Sequence, residues 1–105
     1  MEVAENSARQ AHGARLTIVQ RPGCELCEEM LADLARLGRT RELPPIDLVD
    51  VDSDAELNRR HGLHVPVLLL DGTVVCRHRL DVPELARLLT ARTRSHIERP
   101  HPAQR

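Results

Sequence analysis

Cys24 and Cys27 stand two residues apart within Arg21-Pro22-Gly23-Cys24-Glu25-Leu26-Cys27, and their type and spacing could do chemistry. A thiolate attacks disulfides and also ligates metals, so a nearby second thiol can either resolve a mixed disulfide or help complete a metal site. A strand-like run, Leu16-Thr17-Ile18-Val19, leads into this stretch, and an amphipathic helix pattern leaves from Glu25. Cys24 therefore falls at a strand-to-helix turn. Unpaired backbone N–H groups and the positive end of the helix dipole favour thiolate over thiol there. Cys27 shares a helical face with Cys24, so one sulfur can attack and the other resolve. The chemistry expected is thiol–disulfide exchange. A metal site is the rival: Cys24, Cys27, His61 and His64 could supply four zinc ligands, although the His pair is spaced more tightly than is usual. An iron–sulfur cluster shared between two chains is a variant of that rival.

The elements that must position these sulfurs follow from the pattern of apolar residues. Arg15 to Gln20 reads as a short central strand, broken by Pro22 and Gly23. From Glu25 to Leu37, apolar residues at 27, 30, 31, 34 and 37 follow helical spacing, with Gly38 as the stop. Pro44-Pro45 ends a loop, and Ile46 to Val51 reads as a second strand, giving a βαβ unit with parallel strands. Ser53-Asp54-Ala55-Glu56 has the form of a capping box, Glu56 can pair with Arg60, and Gly62 closes a short helix. Val67–Leu70 and Thr73–Arg77 flank Asp71-Gly72, which predicts an antiparallel hairpin. Asp81-Val82-Pro83-Glu84 opens a last helix whose stripe is Leu85, Leu88 and Leu89. Residues 1–14 are expected to be a disordered arm, 15–90 the folded domain, and 91–105 a frayed helix end and disordered tail.

With 105 residues the chain suits one domain, and its core must be built without a single aromatic residue. The 15 basic residues, all Arg, nearly balance the 16 acidic ones, for a net charge of −1. That balance, with no stacking platform, argues against nucleic-acid binding and against attraction to an anionic membrane. No run of about 18 apolar residues exists and the N-terminus lacks the order of a signal peptide, so a soluble, cytoplasmic monomer is expected. Three cysteines in such a chain do not make a structural disulfide framework.

The order β-α-β-α-β-β-α, with Cys-x-x-Cys at the start of the first helix and Val65-Pro66 just before the third strand, resembles the thioredoxin fold. More narrowly, residues 15–90 resemble the small glutaredoxin-like proteins of bacteria. The resemblance implies an α/β fold with a four-stranded mixed sheet in order 2-1-3-4, about three helices on its two faces, and thiol–disulfide oxidoreductase activity. It makes Cys24 the attacking and Cys27 the resolving cysteine, and Pro66 the cis-proline. The backbone of Val65 would then pair with the bound thiol substrate, and Arg21 would stand where glutaredoxins carry a basic residue that contacts glutathione. No cofactor is implied beyond glutathione as a co-substrate. The implied partner is a disulfide-containing protein or a glutathione mixed disulfide. Where glutaredoxins have a Gly-Gly pair after the cis-proline, this chain has Cys76 and Arg77, and Asp81 comes about one place late for the family's acidic residue. Glu25-Leu26 is neither the Pro-Tyr of dithiol glutaredoxins nor the Gly-Pro of thioredoxins.

Other residues have simpler expectations. Cys76 reads as a small buried hydrophobe on a strand, with trapping of a mixed disulfide as its sharper alternative. His61 reads as a helix-end cation and His64 as a loop residue, or as a proton carrier and substrate contact near Cys24. Arg77 and Arg79 read as a solvated strand face or a docking surface for an acidic partner. A non-catalytic adaptor that docks a peptide along Val65-Pro66 is the rival to turnover.

Overall fold

The computed structural model describes residues 14–98. The expected arm, up to residue 13, and the tail beyond residue 98 lie outside the described residues. Strand β1 (Leu16–Gln20) runs into helix α1 (Glu25–Leu37), which returns the chain to β2 (Ile46–Asp50). A 3-10 turn (Val51–Ser53) and the short α2 (Ala55–His61) lead to the hairpin of β3 (Val67–Leu70) and β4 (Thr73–Arg77), and α3 (Val82–Glu98) follows. The sheet has the order β2-β1-β3-β4. β1 pairs in parallel with β2 and antiparallel with β3, which is itself antiparallel to β4.

Period-two alternation divides β1 between two cores. Leu16 and Ile18 join Leu68 and Leu70 of β3 in a cluster closed by Met30 and Leu34 of α1 and Leu85 and Leu89 of α3. Val19 forms a smaller cluster with Val67 and with Val51 of the 3-10 turn. The absence of aromatic residues is met by this interlocking of small branched side chains, which fill a core if total volume is right. β2 is an edge strand: Ile46 and Leu48 lie in register with Leu16 and Ile18, yet Leu48 keeps 54% of its surface exposed.

Local chemistry sets most boundaries where the sequence puts them. Asp71 and Gly72 both take positive φ (51° and 86°), as a two-residue hairpin turn with the right twist requires. The Asp81 carboxylate accepts the Glu84 N–H at 3.1 Å and caps α3. Three details differ. Helix α3 continues to Glu98, beyond Ala91 where the apolar stripe ends. The capping box before α2 is not formed: Ser53 donates its hydroxyl to the Asp50 carbonyl at 2.7 Å, and Asp54 makes no side-chain cap. Glu56 pairs with Arg59, one residue short of the expected Arg60.

Candidate active site

The ladder registers bring the functional stretches to one end of the sheet. Gln20, the last residue of β1, stands beside Asp50, while Val19 faces Val67, which in turn faces Arg77. The β1–α1 turn with the cysteines, the Val65-Pro66 segment before β3 and the exit of β4 therefore share an edge.

Gly23 makes the turn at φ 76°, a conformation in which a side chain would be strained. Cys24 follows with extended backbone as the N-cap of α1, its sulfur accepting the Cys27 backbone N–H at 3.1 Å. The two cysteines are joined in a disulfide, with 5.2 Å between their Cα atoms. Their surroundings differ: Cys24 is half-buried, whereas Cys27 keeps only 1% of its surface. Of the two cysteines, Cys24 is therefore the one that keeps contact with solvent. When the bond is reduced, the amide that points at Cys24 and the dipole of a 13-residue helix both stabilise a thiolate at that position.

The charges around the pair are unevenly distributed. Glu25 and Glu28 sit in the first turn of α1, where they oppose a thiolate. Glu29 is drawn off by Arg79 at 3.3 Å. Arg21 does not aim a free charge at the sulfurs. Its Nε reaches Asp52 at 3.0 Å, and another guanidinium nitrogen donates to the Gly62 carbonyl at 3.1 Å. Asp52 also accepts from the Asn58 side chain at 2.6 Å. The hydrogen bond that Arg21 donates to Asp52 holds both groups charged, raising the pKa of the first and lowering that of the second. Arg21 thus ties the cysteine turn to the end of α2 and to the segment leading into Pro66. Asp52 and Asn58 were missed in the sequence because nothing local marks a partner that lies more than thirty residues away.

The Val65–Pro66 peptide is cis, and Pro66 is buried beside a half-buried Val65. The Pro66 carbonyl accepts the His78 N–H at 2.7 Å, with His78 itself at φ 69°. His64 is exposed, and its ring centroid lies 6.0 Å from that of His78. Cys76 pairs with Leu68 in the ladder and packs against the larger core, so burial pushes its thiol pKa up, an effect eased by a hydrogen bond from the Asp81 backbone. It is a core-side residue with the electrostatics of an unreactive thiol.

His61 corrects an expectation. It is not a helix-end cation but is buried at 6% exposure, and its Nδ1 finds no partner among the described residues. Desolvation, reinforced by Arg60, Arg77 and His64, lowers its pKa and keeps the ring neutral. Cys24, Cys27, His61 and His64 do not come together, as among the described residues no three His, Cys, Asp or Glu side chains are grouped to hold a metal ion.

A stability prediction follows from His61. The unfolded chain takes up a proton on this imidazole near its ordinary value of about 6.5, while the folded protein takes it up only at lower pH. Stability is therefore complete above that value and falls as the pH drops below it, before the carboxylates titrate. Chemical denaturation of the wild type and of His61→Gln across this window should show the slope in the first and its flattening in the second. Equal slopes would remove His61 as the cause.

A mixed sheet of this order, with a Cys-x-x-Cys pair capping the first helix, defines the thioredoxin fold. Residues 15–90 match the model of the glutaredoxin-like domain family (DUF836), and the chain belongs to that family. Among solved structures it is similar to protein Ne2328 of Nitrosomonas europaea, at 28% identity over 71% of this chain and 89% of that one, with a TM-score of 0.65. It is also similar to protein XcR50 of X. campestris, at 32% identity over 72% of this chain and 96% of that one, with a TM-score of 0.53. The germline-specific thioredoxin Deadhead of Drosophila melanogaster shares the fold at 18% identity and a TM-score of 0.50, over 85% of this chain and 90% of that one. No protein of curated function matches the chain.

Proposed function

We propose that this protein is a thiol–disulfide oxidoreductase. The observation that carries the reading is the asymmetry of the disulfide-bonded pair: a reachable Cys24 at the helix N-terminus and a buried Cys27 directly behind it. In the reduced protein the Cys24 thiolate attacks one sulfur of a substrate disulfide. A Cys24–substrate bond forms, the substrate bond breaks, and the other half leaves as a thiolate that takes a proton. Cys27, deprotonated, then attacks the Cys24 sulfur, closes the Cys24–Cys27 bond and expels the second substrate thiol. Two electrons pass from the dithiol to the substrate. A thiol reductant, with glutathione as the candidate co-substrate, returns the protein to the dithiol by the reverse steps.

The backbone of half-buried Val65 and the exposed ring of His64 are the groups we assign to substrate contact. Arg21 joins them indirectly, since its guanidinium is committed to Asp52 and Gly62 and can hold the Gly62–Pro66 segment opposite Cys24. The substrate is a disulfide-bearing protein or a glutathione mixed disulfide, and no cofactor takes part. Among the described residues no helix is long and apolar enough to cross a membrane. We place the protein in the cytoplasm as a monomer, in keeping with thiol chemistry in a reducing compartment.

The reading is tested by turnover of a small uncharged disulfide, 2-hydroxyethyl disulfide, with glutathione or dithiothreitol as electron source. Catalytic consumption of the disulfide is the expected result. If neither reductant drives it while the fold is intact, the protein is a docking module without turnover.

A further inference from the structure

The edge that carries the disulfide also carries a group of basic side chains, two arginines and two histidines, that form no ion pair among the described residues. Arg60 at the end of α2, His64 before Pro66, and Arg77 and His78 at the exit of β4 are all exposed. They converge from three segments. His64 donates its N–H to the His61 carbonyl at 2.8 Å, and His78 donates to Pro66 at 2.7 Å. The two exposed rings lie 6.0 Å apart. Arg77 stands opposite Val67 in the ladder, and Arg77, Arg60 and His64 all lie near enough to His61 to act on its charge.

Neighbouring arginines are neutralised: Arg21 by Asp52, Arg59 by Glu56 and Arg79 by Glu29. Arg60 and Arg77 form no ion pair with any described residue. Between Arg60 and His64 in the chain, Leu63 keeps 91% of its surface exposed, an apolar side chain within the basic segment. Across the cysteine turn the sign reverses, since Glu25 and Glu28 open α1. The site is therefore polarised, positive on the Pro66 side and negative on the helix side. Such an arrangement selects partners by complementary charge and fixes the direction in which they lie.

We propose that the edge formed by Arg60, Leu63, His64, Arg77 and His78 docks an acidic segment flanking the disulfide of a polypeptide substrate. The proposal rests on the thiol–disulfide exchange assigned above. A polypeptide fits better than a nucleic acid: the chain has no Phe, Tyr or Trp to stack bases, and its net charge is −1.

The test uses the full chain and two synthetic disulfide peptides of one sequence, differing only in whether Asp or Lys flanks the bonded cysteine. At low salt the acidic peptide should be reduced with kcat/KM about tenfold or more above the basic one, the lower end of electrostatic steering. That advantage should collapse in about 1 M salt, where the screening length is about 3 Å. The double variant Arg60→Glu, Arg77→Glu should lose or reverse the preference while turning over 2-hydroxyethyl disulfide at the wild-type rate. Equal rates for the two peptides in the wild type, or a preference untouched by the double variant, would overturn the proposal. If even the small disulfide is not consumed, the exchange reading fails, and docking is decided by fluorescence anisotropy of a labelled, cysteine-free acidic peptide. Binding that the double variant abolishes then sustains the surface. No binding, or equal binding of a single-stranded oligonucleotide, overturns it.

Discussion

Cys24→Ser should abolish disulfide exchange altogether, whereas Cys27→Ser should complete the first half of the reaction and stop. The difference comes from geometry. Cys24 is half-buried where Cys27 is buried, and its sulfur receives the amide of residue 27 at the N-terminus of the helix. Serine at 24 leaves a hydroxyl that does not ionise near neutral pH, and buried Cys27, at 1% exposure, is out of reach of a substrate disulfide. Serine at 27 leaves the attack intact but removes the sulfur that expels the product, so the mixed disulfide on Cys24 accumulates. Mass spectrometry of each variant after incubation with a disulfide peptide reads both outcomes. The Cys27→Ser protein should gain the mass of one peptide half, and the Cys24→Ser protein none. An adduct on Cys24→Ser, or equal silence from both folded variants, would mean the nucleophile is elsewhere.

The second large effect concerns the fold beneath the site. Leu68 is fully buried in β3, between β1 and β4, and belongs to the core closed by α1 and α3. Leu68→Ala removes packing from a strand flanked on both sides, where the surroundings cannot easily collapse. A loss of about 2–5 kcal/mol is expected. That is a large part of the total for a domain of this size, which is about 5–15 kcal/mol. Leu63→Ala, at a position 91% exposed, should leave stability within about 0.5 kcal/mol. Denaturant unfolding followed by circular dichroism measures both, since the chain has no tryptophan or tyrosine to report by fluorescence. A Leu68→Ala midpoint close to that of the wild type would mean that the core is not organised around β3.

How much of this was legible in the sequence depended on whether the determining interaction was local. α1 from Glu25 to Leu37 and the hairpin around Asp71-Gly72 match the sequence reading, because an amphipathic period and a turn needing positive φ are written into adjacent residues. The sheet order followed from a βαβ unit and a hairpin together with the thioredoxin-fold resemblance. The capping box before α2 was misleading for the same local reason: Ser53 had a competing acceptor in Asp50, drawn close by the 3-10 turn. His61 looked like any basic residue at a helix end, and only the packing around α2 makes it buried and neutral.

At the site itself the cysteine pair was readable, but the division of roles was not physically grounded until burial separated Cys24 from Cys27. For Arg21, expected where glutaredoxins contact glutathione, the sequence did not show its bonds to Asp52 and Gly62. Likewise Arg77 and Arg79, a matched pair in sequence, part company: Arg79 is paired with Glu29, while Arg77 is exposed at the end of β4 and forms no ion pair among the described residues. These distinctions depend on contacts across long stretches of chain, which no window of residues contains.

The redox equilibrium of the Cys24–Cys27 pair is the most direct test of the central claim. The purified protein is brought to equilibrium across glutathione buffers of graded potential, quenched, and alkylated after denaturation, with the alkylated residues counted and located by mass. Alkylation at Cys24 and Cys27 should disappear together in one reversible two-electron transition, while Cys76 remains alkylated throughout. If Cys24 and Cys27 stay alkylated across the whole series, or each oxidises on its own without bonding to the other, the pair is not a redox centre and the assignment of exchange chemistry is wrong.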